Sequence, residues 1–223
     1  MTHTYFITGT DTGVGKTVLT SLLTRFLRAG GVPAAALKPI CSGGRADARA
    51  LHAAMNGALS LDEINPWHFR AAVAPALAAP REKKTVTLAQ VVARIRSAQK
   101  KFAVVLVEGA GGLLSPLGEN FDSRDLIAAL RATPVIVAPN RLGVVNHLLL
   151  TLEALPRNRR AQAKVVLMAP PKPDAATASN LKLLAQFFPA VKIFPLPWLG
   201  RGSATNLILK KRVRQTLEGL VNG

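Results

Sequence analysis

Lys16 and Thr17 close the run Gly9-Thr10-Asp11-Thr12-Gly13-Val14-Gly15-Lys16-Thr17, which follows an apolar stretch and opens a helical pattern. Glycines let such a backbone turn tightly with its N–H groups inward, and a helix start adds partial positive charge; phosphate oxygens are the natural occupants. Lys16 would reach the β- and γ-phosphates of a nucleotide and Thr17 would place its hydroxyl on Mg²⁺. The usual spacing puts a glycine five residues before Gly15, where this chain has Thr10, with Gly9 one residue earlier. A structural glycine-rich turn is the alternative.

Three further places could join that chemistry. Glu108 follows the apolar run AVVLV and precedes Gly109-Ala110-Gly111-Gly112, so a carboxylate sits at a strand end, where open α/β sheets bind ligands. It could coordinate Mg²⁺ or merely start a surface turn. Lys38, in KPICSGG, also ends a strand, as a phosphoryl partner or a surface lysine. Asp47 is a possible Mg²⁺ ligand, though capping the next helix is the favoured expectation. In APNRLGVVNH, residues 138–147, Gly143 marks a turn into a helix whose free donors could receive a carboxylate. His147 is expected to be a packed helix residue, and Cys41 a small packing residue beside its loop.

These residues need a scaffold, and the apolar pattern supplies one. Short β-branched runs at 5–8, 33–37, 103–107, 134–137, 164–168 and 191–194 read as strands. Helical segments are expected at 16–29, 47–55, 88–99, 123–130, 144–155, 176–187 and 204–220. Nearly continuous apolar strands are those buried on both faces, which predicts an α/β fold with a mainly parallel sheet flanked by helices. The irregular stretch 60–85, with Pro66, Pro75 and Pro80, is expected to pack on the core as a loop or short helix.

With 223 residues and 49% apolar residues, the chain predicts one well-buried core, hence a single domain over residues 1–223. One cysteine excludes an intramolecular disulfide framework, and no Cys/His cluster has metal-ligand spacing. The absence of a leader-like start or a long uncharged apolar segment predicts a cytoplasmic protein with no membrane partner. The formal charge of +17 fits a solvated basic face, steering of anionic substrates, or a nucleic-acid surface. Basic residues are dispersed and aromatic residues few, so no specific nucleic-acid partner is expected.

Together YFITGTDTGVGKT, KPICSG, NPWHF, VLVEGAGG and GVVNH, in this order and spacing, resemble dethiobiotin synthetase, the ATP-dependent ring-closing family of biotin synthesis. That family shares the one-residue offset in the loop. The resemblance, spanning about residues 5–198, implies a doubly wound fold like the P-loop NTPases and a homodimer with its substrate site at the interface. It implies 7,8-diaminononanoate, CO₂ and ATP as substrates, with Mg²⁺. Carried over residue by residue, Thr12, Gly13, Val14, Gly15, Lys16, Thr17 and Val18 hold the nucleotide with Glu108, and Pro197 and Trp198 lie beside the base. Thr12, Lys16 and Lys38 are the implied catalytic group, and Thr17, Asp47 and Glu108 the Mg²⁺ set. Lys38, Ser42 and the backbone of Gly111, Gly112 and Leu113 hold the reacting end of the diamine, while Val144 and Asn146 of one chain receive its carboxylate in the other's site.

Two departures stand out. Ala169-Pro170 replaces the Asn-Asp pair with which relatives read the base, putting nucleotide selectivity in question, and residues 74–77, APAL, replace a Ser-Pro-His segment on the substrate side. An ATPase or GTPase switch of the same fold, or a diverged nucleotide-binding protein, are the competing readings.

Overall fold

The computed structural model describes residues 2–200 and 210–222. Its centre is a six-stranded parallel sheet of β1 (His3–Gly9), β2 (Ala34–Leu37), β5 (Val104–Glu108), β6 (Thr133–Pro139), β7 (Lys164–Met168) and β8 (Lys192–Leu196), in the order β2-β5-β1-β6-β7-β8. The six runs expected from the sequence are these six strands. Phe6, Ile7, Leu106, Val107, Ile136 and Val137 are fully buried because parallel strands carry helices on both faces. The order reverses around β1, and at that switch point the carboxyl ends of β1 and β5 leave a crevice.

The helices are α1 (Lys16–Ala29), α2 (Ala46–Ala54), α3 (Leu61–Ile64), α4 (Pro75–Arg81), α5 (Leu88–Gln99), α6 (Ser123–Leu130), α7 (Val144–Ala154), α8 (Arg157–Arg160), α9 (Ala175–Phe187) and α10 (Lys211–Asn222). In α1 the buried stripe Leu19, Leu22, Leu23, Leu27 follows the 3.6-residue period. Each such leucine contributes about 1.5–3 kcal/mol by burial. The expected helix 204–220 begins outside the described residues; within them it is α10.

Two kinds of helix start stand in contrast. Ser60 with Glu63, Thr87 with Gln90, Asp122 with Asp125 and Asp174 with Thr177 form capping boxes that satisfy the first amides of α3, α5, α6 and α9. By contrast α1 and α7 begin at left-handed glycines, Gly15 (φ 102°) and Gly143 (φ 87°), with neither a side-chain cap nor an acidic residue in the first turn.

Stretch 60–85 packs on the core, as expected, and contains more order than expected. It holds α3, α4 and β4 (Trp67–Phe69), which pairs in parallel with β3 (Ile40–Ser42) as a separate two-stranded sheet. The basic cluster 157–160 forms α8, just before the amino end of β7 and therefore at the opposite end of the sheet from the crevice.

Candidate active site

The crevice opens into a cleft of about 700 Å³ bordered by the β1–α1 loop, Lys38, Ser42, Asp47, Glu108, Gly111 and the apolar stretch 72–75. Val14 is buried beneath the loop, while Thr12 and Gly13 lie at its exposed rim. Gly15 adopts φ 102°, which strains any side chain, and a Cβ there would press on the flexible Met168 side chain, 2.9 Å from its Cε. The first-turn amides of α1 therefore lack a side-chain cap and lie beside the cleft. Val18, 44% exposed, borders it further along the helix.

Four charged side chains converge here. Lys38 Nζ donates to Glu108 Oε1 at 2.7 Å and to the Gly109 carbonyl at 2.9 Å, and pairs with Asp47 Oδ2 at 3.0 Å. An ammonium has three donors, so all are engaged. Thr17 Oγ1 donates to the same Glu108 oxygen at 2.8 Å. Lys16, also buried, donates to the Asp11 carbonyl at 2.8 Å.

The surroundings set the charges. Burial pushes the Lys16 ammonium down to about 8, and the neighbouring Lys38 charge adds to that, offset in part by Glu108, Asp47 and Asp11. Burial also works against the Lys38 charge, but Glu108 and then Asp47 outweigh it and raise Lys38 above the ordinary lysine range. Asp47 is lowered: burial pushes its carboxyl up, and Lys38 with the Thr17 hydroxyl pulls it further down.

Glu108 Oε2 is buried and has no hydrogen-bond partner. A buried, unpartnered carboxylate oxygen close to a threonine hydroxyl and a second carboxylate fits the oxygen donor set of a hard divalent cation such as Mg²⁺. Among the described residues no cluster of three or more His, Cys, Asp or Glu offers an all-protein metal cage.

Several expectations need correction. Asp47 does not cap α2: Arg45 holds that position, and the Asp47 carboxylate turns to Lys38. Lys38 is not a surface lysine but 3% exposed. His147 is exposed, since the buried stripe of α7 runs through Val144, Leu148 and Leu152.

The remaining expected residues are distributed over more than one hollow. Ser42 and Gly111 line the main cleft, whereas Gly112 and Leu113 line a neighbouring hollow of about 360 Å³ with Leu150 and Thr151 of α7. The Ser115 hydroxyl accepts from the Gly112 N–H at 2.9 Å and holds that loop. Val144 is buried and Asn146 exposed, and neither borders this chain's main cleft. Pro197 and Trp198 follow β8 outside the cleft, Trp198 being 56% exposed, near Ala169, whose N–H donates to the Leu196 carbonyl. Sequence reasoning missed Asn65, Ser115 and the cleft-lining Ala72 and Val73; only the NPWHF run pointed toward Asn65.

A family model described as an AAA domain matches residues 3–203. The chain is 42% identical over 198 residues to the ATP-dependent dethiobiotin synthetase BioD of Anaeromyxobacter dehalogenans (strain 2CP-C), covering 86% of this chain and 89% of that one. It is 38% identical over 167 residues to the enzyme of the same name from Methanocaldococcus jannaschii, covering 73% and 78%. Among solved structures, the MinC:MinD cell division protein complex of Aquifex aeolicus aligns with a TM-score of 0.61 at 14% identity, covering 99% of this chain and 94% of that one. The signal recognition particle receptor FtsY from Elizabethkingia anophelis aligns at 0.52 and 13% identity, covering 99% and 65%. These two share the fold.

Proposed function

The chain belongs to the ATP-dependent dethiobiotin synthetase family, and from that premise we propose how its residues divide the reaction. The enzyme converts 7,8-diaminononanoate, CO₂ and ATP into dethiobiotin, ADP and phosphate. One amine takes up CO₂ as a carbamate, a carbamate oxygen attacks the γ-phosphate, and the second amine closes on the mixed anhydride with loss of phosphate.

The observation that carries this assignment is the convergence of Lys16, Lys38, Thr17, Asp47 and Glu108 on one cleft beside the uncapped start of α1. Phosphoryl transfer depends on placement and charge more than on proton relays. The backbone of Thr12 to Val18 cradles the triphosphate, and Lys16 turns from the Asp11 carbonyl to its terminal oxygens. Lys38 has no free donor, so it must release an acceptor to meet the transferring group. Asp47, with a side chain 48% exposed, is the one to yield, since Glu108 is fully buried. That exchange would leave the Asp47 carboxylate available, with Thr17 and Glu108, to hold Mg²⁺, which when bound would supply charge neutralisation for the triphosphate.

Ser42 and the backbone of Gly111 hold the carbamate end in the main cleft, where Ala72, Val73, Ala74 and Pro75 give an apolar wall suited to methylene groups, while the backbone of Gly112 and Leu113 faces the adjoining hollow beside α7 through which the diamine extends. The departure at residues 74–77 keeps that wall apolar while Leu77 points outward, 59% exposed. The substrate carboxylate lies at the uncapped start of α7 from a second protomer, at Val144 and Asn146. Two observations support a homodimer through this face: those residues do not border their own chain's cleft, and Leu114, Leu142 and Leu150 are more than half exposed. Pro197 and Trp198 flank the base. With Ala169 and Pro170 offering no side-chain hydrogen bond, base selectivity is weak.

The test is release of ADP and dethiobiotin from protein given Mg²⁺, bicarbonate and ATP, with and without the diamine, repeated with CTP and GTP. Equal, diamine-dependent release of both products is expected, with the other nucleotides partly replacing ATP. Diamine-independent hydrolysis would overturn the reading in favour of a switch.

A further inference from the structure

NPWHF contributes to the family likeness, yet none of the roles above uses it. Asn65, at its head, is fully buried and closes α3. Its Nδ2 donates to the Lys38 carbonyl at 2.7 Å, and its Oδ1 lies 3.1 Å from the Cys41 Sγ, whose single proton it shares with the Gly44 carbonyl at the same distance. The backbone around it reinforces the join: Lys38 N–H donates to the Ile64 carbonyl at 3.0 Å and Trp67 N–H to the Pro39 carbonyl at 3.1 Å. Arg45 donates to the Asn65 carbonyl at 3.1 Å while pairing with Asp62 at 2.8 Å, which ties the segment to the start of α2.

Lys38 stands one residue beyond β2, where the chain leaves the main sheet, and Pro39 follows it without an N–H. A carbonyl there has left the ladder, and a buried carbonyl needs a donor. Asn65 is the donor at 2.7 Å. Its amide is held at both ends, by a carbonyl on one side and a thiol on the other, so its plane has little freedom to rotate. The main chain at Lys38 is thereby fixed independently of the ion pairs at the tip of its side chain.

We propose that Asn65 is a positioning residue for Lys38, clamping its backbone so that the ammonium can exchange Asp47 for a phosphoryl oxygen without displacing the strand end. The proposal rests on the assignment of Lys38 to the transferring phosphoryl group. A misplacement of a catalytic group by about 1 Å costs on the order of a hundredfold in rate, whereas the loop that binds the nucleotide lies on other elements. Loss of the clamp should therefore slow the chemical step and leave nucleotide affinity nearly intact.

Asn65→Asp nearly preserves shape but sets a carboxylate oxygen against the Lys38 carbonyl. Single-turnover rates and nucleotide affinity are measured for Asn65→Asp, Lys38→Ala and the double variant. Expected is a roughly ten- to hundredfold slower step in Asn65→Asp, unchanged nucleotide affinity, and no additional slowing when Asn65→Asp is added to Lys38→Ala. An impaired Lys38→Ala that loses the same factor again in the double variant overturns the proposal alone. A near-normal Lys38→Ala removes the Lys38 assignment and the proposal with it. If Asn65→Asp does not fold, Asn65→Ser, too short to reach the carbonyl, takes its place with the same outcomes.

Discussion

Lys38 and Glu108 meet at 2.7 Å because β2 and β5 are in register: Leu37 stands opposite Val107, so Lys38, the first residue beyond β2, comes level with Glu108, the last residue of β5. Both side chains are almost completely buried. A buried pair of this kind loses far more when one partner is removed than it gains when formed.

Glu108→Ala should therefore destabilise the ligand-free protein by about 3–5 kcal/mol, with Glu108→Gln losing less because it still accepts from Lys38 and Thr17. Urea unfolding of both variants measures this. A loss below about 1 kcal/mol for the alanine variant, the range of an exposed pair, would mean that water reaches Lys38 freely.

The Lys16 ammonium, held near 8 by burial and by Lys38, makes nucleotide binding depend on pH. An anionic triphosphate favours the charged form, so it raises the ammonium's affinity for its proton. Binding is strongest below about pH 8, where Lys16 is already charged, and weakens as pH rises, by up to about tenfold per unit. Proton uptake should accompany binding above that pH; calorimetry in buffers of different ionisation heats reads it directly. The same uptake in Lys16→Met would assign it elsewhere.

Gly15→Ala adds both a left-handed backbone strain and a collision with Met168. Nucleotide affinity should fall by about 1–3 kcal/mol. Adding Met168→Ala should restore only the steric share, and full recovery would mean that the backbone conformation costs nothing.

Asp47→Asn removes the exchangeable partner of Lys38 while leaving Glu108 in place. Activity should fall and half-maximal activity should require more Mg²⁺, as read from a Mg²⁺ titration at saturating nucleotide. An unchanged Mg²⁺ requirement would remove Asp47 from the metal set.

If the carboxylate end is received across a dimer, Lys16→Ala and Asn146→Glu damage different halves of each composite site. Mixing and re-equilibrating the two weak variants should recover about a quarter of the wild-type rate, since heterodimers retain one intact site. No recovery would place Asn146 outside the partner's site.

The main sheet was legible because its strands are short apolar runs bounded by turns, and burial on both faces leaves that mark on nearly every residue of the central strands, while the edge strand β8 carries it only in part. β3 and β4 were not, because three-residue strands beside Pro39 and Pro66 carry no period, and α4 begins and continues with prolines. Lys16 and Thr17 could be found from local spacing alone. The burial of Lys38 could not, since its partner lies seventy positions away and strand register is not written locally. Asp47 looked like a cap because local propensity favours one there; its ion-pair partner Lys38 is only nine positions earlier but lies beyond the end of a different element, and only the fold turns the two side chains together. Asn65 was visible only as part of a likeness, since its hydrogen bonds depend on how α3 meets the end of β2.

The contrast between self-capped and glycine-started helices turns the protein into its own occupancy gauge. Amides at the starts of α5, α6 and α9 are shielded by their own side chains, so hydrogen exchange there should change little when ligands arrive. Amides at the starts of α1 and α7 lack such shields, and each would be protected by a different molecule: the first by the triphosphate, the second by a carboxylate lodged against a neighbouring copy. A single exchange experiment, with nucleotide and diamine added in turn, would then report the filling of two separated ends of the site without any turnover.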